Sequence, residues 1–421
     1  MVKGKILILE NYRQTLTVLR SLADAGYETI VGYHDNIADK FILSSRYTKE
    51  TWLHPRFDEE GKFIEALAVF LKRRSDIAYI FPTDNTSISL LARNFDQISS
   101  ICGILMANPH ATAICLDKSK TYELAFEQYI PLPETSTVRD FADINAQISK
   151  IGFPFILKPK TSCGSLYGKK CIICNSPDDF KKYFPKWPEK YQELVLQRKV
   201  SGQRHNCMFA SFKGEIVSYF ENKALRTETY DYTGYAVESV SVRPSSKLKY
   251  YCELLTRKLA YTGIGFVQFH VDKEDGSSYF LEFNPRMGGS HALPYYCGVD
   301  FPKQAIDVHQ YLSGEISSLP QYSKDYRLGM RIHWLFGDIT GMLKELKKKE
   351  ISILQGIGWM LRIIITIFRA PHHMTWSWKD PLPTLVLYKQ EFLNIITNRL
   401  NSLRLRKTGN SKLINKFNRY Q

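Results

Sequence analysis

Residues 279–291 read YFLEFNPRMGGSH, and three polar side chains in this stretch, Glu282, Asn284 and Arg286, alternate with apolar ones. Side chains two apart on a β-strand point to the same face, so the acid, the amide and the guanidinium are expected to share one face. A charged group on a buried face destabilises a protein unless a partner compensates it. The alternation therefore predicts either a binding face or a solvent-exposed strand end.

A second predicted strand precedes this one, and the turn sequence KEDGSS separates the two. The pattern predicts a β-hairpin over 266–286 that brings Gln268 next to Glu282 and Asn284. Oxygen atoms arranged in this way suit Mg²⁺, which binds a few protein oxygens and retains water and substrate phosphates. Arg286 beside such an ion would neutralise charge on a transferring phosphoryl group.

A loop rich in glycine and serine, KPKTSCGSLYGKK at 158–170, lies between two further predicted strands. Gly164, Ser165 and Gly168 would let the backbone approach phosphate groups and donate N–H groups to them, and Lys158 would add a positive charge. An ordinary hairpin turn explains the same composition. The loop lacks the spacing of a P-loop and of a dinucleotide-binding fingerprint, which disfavours those two folds.

The composition is that of a globular protein. The chain has 421 residues, 44% hydrophobic and 24% charged, which suggests two or three domains. Eight cysteines do not indicate a dense disulfide framework and no secretory signal is evident, so a cytoplasmic location is expected. The net charge is +15, and residues 394–421 contain seven basic residues and no acidic one. Such a tail is typical of a solvated end or of contact with anionic lipid, whereas nucleic acid is disfavoured because the basic residues form a tail and not a stripe interleaved with aromatic residues on one element.

Three regions differ in pattern. In 1–110, strands alternate with helices, which indicates a parallel α/β domain, and Asp84 ends one strand as a helix N-cap or, less favoured, a ligand contact. In 111–312, hairpins with interposed helices indicate an α+β domain. Residues 313–421 form a mixed region that ends in the basic tail.

The C-terminal region contains a strongly apolar segment, ISILQGIGWMLRIIITIFRA at 351–370, which follows a run of lysines. Gln355 and Arg362 inside the segment argue against a membrane span. Two interpretations remain: a buried helix that packs on the preceding domain, which is favoured, or a helix that lies in a membrane interface with the lysines facing anionic lipid.

Taken in this order, the pieces over 111–312 resemble the ATP-grasp superfamily, in particular the modules of the carbamoyl phosphate synthetase large chain, biotin carboxylase and carboxylate–amine ligases. The resemblance implies an α/β plus α+β fold: a pre-ATP-grasp domain at 1–110, a two-lobed ATP-grasp domain with lobes at 111–188 and 189–312, and a C-terminal extension at 313–421.

The resemblance also implies roles for individual residues. The implied nucleotide-binding residues are Lys118, Lys158, Gly164, Ser165, Gly168, Gln197, Lys199, Val200 and His205. Gln268, Glu282 and Asn284 match the metal ligands, and Arg286 matches the arginine that contacts the acyl phosphate or its carboxylate precursor. Arg198 stands where the family often has the acid that receives the adenine amino group, so Gln197 or backbone carbonyls would have to serve.

The implied chemistry is phosphoryl transfer from ATP to a carboxylate, followed by attack of an amine on the acyl phosphate, with Mg²⁺ as the metal and Mn²⁺ as an alternative. Lys223 and Arg226 are expected to hold the acceptor carboxylate; an exposed basic loop is the other interpretation. Arg331 and His333 alternate on a further predicted strand and are weaker candidates for substrate contact.

Several alternatives stay open. No biotin-carrier signature is present and the chain is shorter than a two-half synthetase, so a stand-alone ligase is favoured over carboxylase-type or carbamoyl-phosphate-synthetase-like carboxylate phosphorylation. A different class is a non-catalytic nucleotide-binding or peripheral-membrane module. Membrane contact through 340–421 would place the protein at the inner face of a membrane and suit a lipid-linked carboxylate. The oligomeric state is not predicted.

Overall fold

The computed structural model describes residues 3–10, 12–35, 40–161, 164–167, 169–184, 187–188 and 190–407, with side chains described up to 393 and at 397. These residues form three β-sheets that follow one another along the chain. The mixed α/β character and the parallel first sheet predicted from the sequence are confirmed.

The first sheet has five parallel strands in the order β3-β2-β1-β4-β5. The strands are β1 (Lys5–Leu9), β2 (Glu28–Tyr33), β3 (Thr48–Leu53), β4 (Ile77–Pro82) and β5 (Gly103–Ile104). The helices of this region are α1 (Arg13–Asp24), α2 (Glu60–Lys72), α3 (Asn85–Arg93) and α4 (Phe95–Ser99), with a 3-10 turn at Lys40–Ser44. Strand order reverses between β1 and β4, which is where open α/β sheets bind ligands at their carboxyl ends. Asp84 caps α3 by accepting from the Thr86 N–H, so the N-cap interpretation is confirmed.

The second sheet has four antiparallel strands in the order β6-β9-β7-β8. The strands are β6 (Thr135–Val138), β7 (Phe155–Pro159), β8 (Ile172–Cys174) and β9 (Leu194–Arg198). The helices α5 (Pro109–Leu116) and α6 (Lys118–Glu127) lead into this region, and α7 (Phe141–Ile151) and α8 (Pro177–Tyr183) belong to it. The glycine- and serine-rich loop joins β7 to β8, which pair as the predicted hairpin.

The third sheet has seven strands in the order β14-β13-β10-β11-β12-β15-β16. The strands are β10 (Gln203–Phe212), β11 (Glu215–Thr227), β12 (Ala236–Ser241), β13 (Gly263–Val271), β14 (Ser278–Asn284), β15 (Arg331–His333) and β16 (His372–His373). Its helices are α9 (Ser246–Lys258), α10 (Ala292–Cys297) and α11 (Phe301–Leu312). Strands β13 and β14 form the predicted hairpin, with Gln268 opposite Glu282.

The C-terminal helices are α12 (Leu335–Lys347), α13 (Ile353–Arg369) and α14 (Leu382–Lys407). Helix α13 buries a narrow stripe that includes Trp359 and Ile363, while Leu354 is 80% exposed and Phe368 is 85% exposed. The favoured interpretation, a buried helix, is therefore wrong for the outward face of α13. Among the described helices, none combines the length and apolar character needed to cross a bilayer.

The first and third sheets share one apolar core. Ile6 and Leu19 of the first region lie in the same buried cluster as Phe266, Phe301 and Trp334. Helix α1 contacts both α10 and α11. This packing fixes the carboxyl end of β1, where α1 begins, against the third sheet.

Candidate active site

A cleft of about 350 Å³ lies where the three sheets meet. The predicted residues that line it are Lys118, Lys158, Gly164, Gln197, Lys199, Val200, Gln268, Glu282, Asn284 and Arg286. They come from positions as far apart in sequence as α6 and β14. The structure therefore brings most of the predicted nucleotide, metal and acyl-phosphate residues to one place.

The three predicted metal ligands lie together on the β13–β14 hairpin, where Gln268 is opposite Glu282. The Asn284 Nδ2 donates to Glu282 Oε1 over 2.9 Å, and the Gln268 Nε2 donates to Asn206 Oδ1. Asn206 is itself held by donating to Asn222 Oδ1 over 2.7 Å, with both amides buried. Because each amide donates through nitrogen, the amide oxygens of Gln268 and Asn284 remain as acceptors beside a carboxylate.

Charge in the cleft is balanced around Glu282. Burial by itself would raise the pKa of Glu282, but the positive charges of Lys118, Lys170 and Arg286, together with the Asn284 hydrogen bond, hold the pKa below its usual value. The carboxylate is therefore ionised at neutral pH. An ionised carboxylate is the form that coordinates a hard cation.

Lys158 lies in the cleft beside Gln197 and Tyr122. Burial lowers the pKa of Lys158 to about 8, although the nearby Glu282 carboxylate favours the charged form. Its Nζ donates to Gln197 Oε1 over 2.9 Å and lies 5.1 Å from the centre of the Tyr122 ring. The Gln197 Nε2 donates to Thr135 Oγ1, so both ends of this amide are engaged in positioning Lys158.

The other predicted phosphate contacts lie around the glycine- and serine-rich loop. The Lys118 Nζ donates to the Thr161 carbonyl over 3.0 Å, which ties α6 to the start of the loop. A Cβ on Gly164 would lie 2.5 Å from the Pro159 Cβ, so this position excludes a side chain. Ser165 is held by its backbone, which donates to and accepts from the Tyr191 hydroxyl, and does not line the cleft. Gly168 lies outside the described residues.

Arg286 is held in place at the other end of the hairpin. Its Nε donates to Asn85 Oδ1 at the start of α3, and its Nη1 donates to the Met287 carbonyl over 2.7 Å. The following Gly288 and Gly289 have no room for a Cβ: Gly288 lies against the Phe266 ring and Gly289 against the guanidinium of Arg13. Close packing at this end of the cleft therefore requires glycine at both positions.

Besides Ser165, the structure leaves three of the predicted residues outside the cleft: His205, Lys223 and Arg226. On β10, Arg204 and Asn206 face the cleft, so His205 between them points to the opposite face. There the His205 Nδ1 lies 2.7 Å from the buried Glu221 carboxylate. Lys223 pairs directly with His205 across the β10–β11 ladder and shares that face.

Arg226, the third, belongs to a buried ion-pair network. Its Nη1 donates to Asp338 Oδ1 over 2.8 Å and its Nε donates to Glu238 Oε2 over 2.9 Å. Arg331 also donates to Glu238, and the His333 Nε2 lies 2.8 Å from Asp338 Oδ2. The network joins β11, β12 and β15 to α12, so these side chains satisfy one another rather than a ligand.

Several cleft residues carried no local signal in the sequence. Arg13, Asn85, Lys170, Arg204 and Asn206 line the cleft, and each reaches it through long-range packing. The register of β10 against β13 places Asn206 opposite Gln268. The segment QRHN at 203–206 contains two of these residues, but all four positions are polar, so the sequence does not indicate which face lines the cleft.

Residues 117–311 match the protein family described as the carbamoyl-phosphate synthase L chain, ATP binding domain. The match spans the cleft residues of the second and third sheets. This segment is an ATP-grasp domain. The ATP-grasp domain of this chain contains the lysines, the hairpin and the glycine- and serine-rich loop described above.

Two curated proteins show what the chain is similar to. The α subunit of mitochondrial methylcrotonoyl-CoA carboxylase from Arabidopsis thaliana is 22% identical over 312 residues, 69% of this chain and 40% of that protein. D-alanine–D-alanine ligase B from Chromobacterium violaceum is 28% identical over 203 residues, 46% of this chain and 63% of that protein. The chain thus spans less than two thirds of the length of each.

Similarity in fold extends beyond the ATP-grasp domain. The ADP complex of N5-carboxyaminoimidazole ribonucleotide synthetase, purK, superposes with a TM-score of 0.61 at 15% identity and covers 82% of this chain and 86% of that one. The TM-score shows that the two chains share a fold.

Proposed function

We propose that this protein is an ATP-dependent ligase that activates a carboxylate as an acyl phosphate and joins it to an amine. The observation that carries the proposal is the grouping of Glu282 and two amide oxygens with Lys118, Lys158 and Arg286 in one cleft. An acidic, oxygen-rich centre surrounded by cations is what the transfer of a phosphoryl group between two anions requires. The domain arrangement shared with ligases of known structure supports it.

The nucleotide would lie between the second and third sheets. Lys118, Lys158 and the backbone at Gly164 would bind its phosphates, and purK, which shares this fold, was solved as a complex with ADP. The Gln197 side chain accepts from Lys158, and Arg198 pairs with Glu134 outside the cleft, so neither side chain is available to the adenine base. The backbone of Lys199 and Val200 would therefore bind the edge of the base. His205 has no part in this arrangement.

The chemistry of the donor set fits Mg²⁺. Gln268, Glu282 and Asn284 offer three oxygens, and a hard cation that keeps substrate phosphates and waters needs few protein ligands. The described residues contain no group of three or more His, Cys, Asp or Glu side chains suited to a metal, so a metal held here relies on one carboxylate and the amides. When bound, Mg²⁺ would neutralise charge on the nucleotide phosphates.

The protein's own residues would align the reactants. Arg286 is fixed by Asn85 and by the Met287 carbonyl, so its guanidinium is preorganised to orient the carboxylate against the terminal phosphate. Lys158, which donates to Gln197, would screen the repulsion between the two anions while it is protonated. An amine then attacks the acyl carbon, and phosphate leaves with the bond electrons.

A screen for ADP release over amino acids, carboxylated sugars and small amines tests the proposal. We expect release only with the correct acid and amine, and a fall of about 10²–10³-fold in kcat for Glu282→Gln. Glu215→Gln, on the exposed Arg257 pair, is the matched control and is expected to be unchanged. Full activity of Glu282→Gln would refute the role of the hairpin. Release with bicarbonate alone would instead favour carboxylase-type phosphorylation.

A second property has its own observation. We propose that the outward face of α13 is a peripheral membrane contact. Ile353, Leu354 and Phe368 are 78%, 80% and 85% exposed, and Arg362 and Arg369 lie on the same helix. An exposed apolar face with adjacent cations suits the headgroup region of anionic bilayers, and would suit a lipid-linked carboxylate.

Co-sedimentation with vesicles containing phosphatidylglycerol tests this contact. Leu354→Ser with Phe368→Ser is expected to reduce binding at least tenfold, because both apolar side chains leave the bilayer. Val69→Ser, an exposed apolar residue of α2, is the control. Vesicle binding that is unaffected by the double substitution, or a dimer that the double substitution dissociates, would overturn the membrane assignment.

A further inference from the structure

Arg13 is a buried cation whose Nε and Nη1 have no hydrogen-bonding partner among the described residues. The residue begins α1, at the carboxyl end of β1, and its side chain is 3% exposed. Its Nε and Nη1 are buried and make no hydrogen bond, and no ion pair to it occurs among the described residues. Leaving such a group unpaired is costly, because burial removes its hydration.

Aromatic rings surround this guanidinium. Its central carbon lies 3.6 Å from the centre of the Trp334 ring, 5.3 Å from that of Tyr235 and 5.6 Å from that of Tyr12. Cation–π contacts offset part of the desolvation but satisfy none of the N–H groups. Burial lowers the pKa of Arg13, yet a guanidinium stays protonated at neutral pH.

A second guanidinium faces the same part of the cleft. Arg204 donates through both Nη atoms to the Gly234 carbonyl, while its buried Nε makes no hydrogen bond. Burial lowers the pKa of Arg204, the Glu282 carboxylate opposes this shift, and the positive charge of Arg13 adds to it, so the two cations repel each other. Glu228 is near both, but its Oε1 accepts from the Tyr235 N–H and it forms no ion pair with either arginine among the described contacts.

The position of Arg13 separates it from the nucleotide phosphates. Lys118, Lys158 and Gly164 approach from the second sheet and α6, whereas Arg13 approaches from the first sheet and packs against Gly289, three residues after Arg286. A Cβ on Gly289 would lie 2.3 Å from the Arg13 Nη2, so the glycine leaves space that the guanidinium fills.

We propose that Arg13, together with Arg204, binds an anionic group of the acceptor substrate, a carboxylate or a phosphate, at the end of the cleft next to Arg286. The proposal rests on the ligase function above. It states that the acceptor, the substrate that receives the phosphoryl group, is an acid bound by these two arginines. Arginine suits this task because its planar N–H groups bind both anions in a bidentate manner. The aromatic rings of Tyr12, Tyr235 and Trp334 hold the guanidinium in orientation before the substrate arrives.

Thermal unfolding of the full chain tests the proposal. The protein is held with ADP and Mg²⁺ and titrated with inorganic phosphate or with acetate, and chloride at equal ionic strength is the reference. We expect the wild type to be stabilised by phosphate or acetate more than by chloride, since a ligand that binds only the folded state raises the unfolding temperature. The anion that acts at the lower concentration identifies the acceptor group. Arg13→Met is expected to lose this effect and keep the stabilisation by ADP.

The variants separate a binding role from a structural one. Methionine in place of an unpaired buried cation is expected to leave the unliganded protein at least as stable, and Arg13→Lys to retain a weakened anion effect. Arg257→Met, on a surface ion pair of α9, is the control. Any of three results would overturn the proposal. The wild type responds to phosphate and acetate no more than to chloride, Arg13→Met keeps the full anion effect, or Arg13→Met loses stability markedly. Failure of the wild type to bind ADP would overturn the ligase function instead.

Discussion

Arg226→Met separates a catalytic role for Arg226 from a structural one. The Arg226 side chain is 12% exposed and its partner Asp338 is 0% exposed, so the substitution leaves a buried carboxylate with fewer donors. Losing one partner of a buried ion pair costs about 3–5 kcal/mol. Asp338 keeps the contacts to His333 (2.8 Å) and Trp359 (2.6 Å), which places the expected loss near the lower limit, about 3 kcal/mol.

At about 2–4 °C per kcal/mol for a unit of 150–250 residues, this loss corresponds to a decrease in Tm of about 6–12 °C. Calorimetry and urea unfolding measure it, and ADP release at low temperature measures activity of the folded variant, which is expected to be near that of the wild type. Arg56→Met is the control, because Arg56 and Asp58 form a surface pair, 50% and 65% exposed, that contributes little to stability. Adding Asp338→Asn to Arg226→Met is expected to recover part of the stability. An unchanged Tm with activity abolished would refute the structural role.

Two further predictions concern the cleft residues Lys158 and Gly289, and a third concerns the buried His291. Because the pKa of Lys158 is about 8, kcat/KM for ATP is expected to fall about tenfold per pH unit above that value, and Lys158→Arg to move the fall to higher pH. Gly289→Ala places a Cβ 2.3 Å from the Arg13 Nη2 and is expected to raise KM for the acceptor at least tenfold with KM for ATP unchanged. Burial lowers the pKa of His291 to about 3, so the unfolded chain binds the extra proton and stability is lost as pH falls below about 6.5, by about 2 kcal/mol at pH 5.

The corresponding controls are direct. A pH profile for ATP that stays flat through pH 9 would contradict the Lys158 assignment. Gly61→Ala, where a Cβ meets no atom within 4 Å, should behave as the wild type, and an equal effect of both alanines on the acceptor would refute the packing argument. His291→Asn should flatten the dependence of the urea midpoint on pH between 5 and 7, and an unchanged slope would show that other groups dominate.

The apolar segment in the C-terminal region shows where a pattern stops being informative. Its hydrophobicity predicted a helix and argued against a membrane span, but the choice between burial and exposure depends on how much partner surface is available. Helix α12 and the neighbouring strand cover only the stripe that includes Gly356, Trp359 and Ile363. The remaining apolar side chains therefore face outward, which no local periodicity could indicate.

What the sequence determined by itself is local. A strand has a period of two, so the alternation in 266–286 already placed Gln268 opposite Glu282 and set Asn284 and Arg286 on the same side. The same period places His205 on the opposite face from Arg204 and Asn206. Which of these two faces lines the cleft depends on how β10 packs, and the sequence does not show this.

Only the tertiary structure decided which distant groups complete the site and which neutralise one another. Arg13 and Asn85 reach the cleft because the first sheet packs on the third, and Arg226 is drawn away from it because Asp338, more than 100 residues later, is buried beside it. Charge pairing and close packing act through space, and the separation of two residues along the chain carries little information about either.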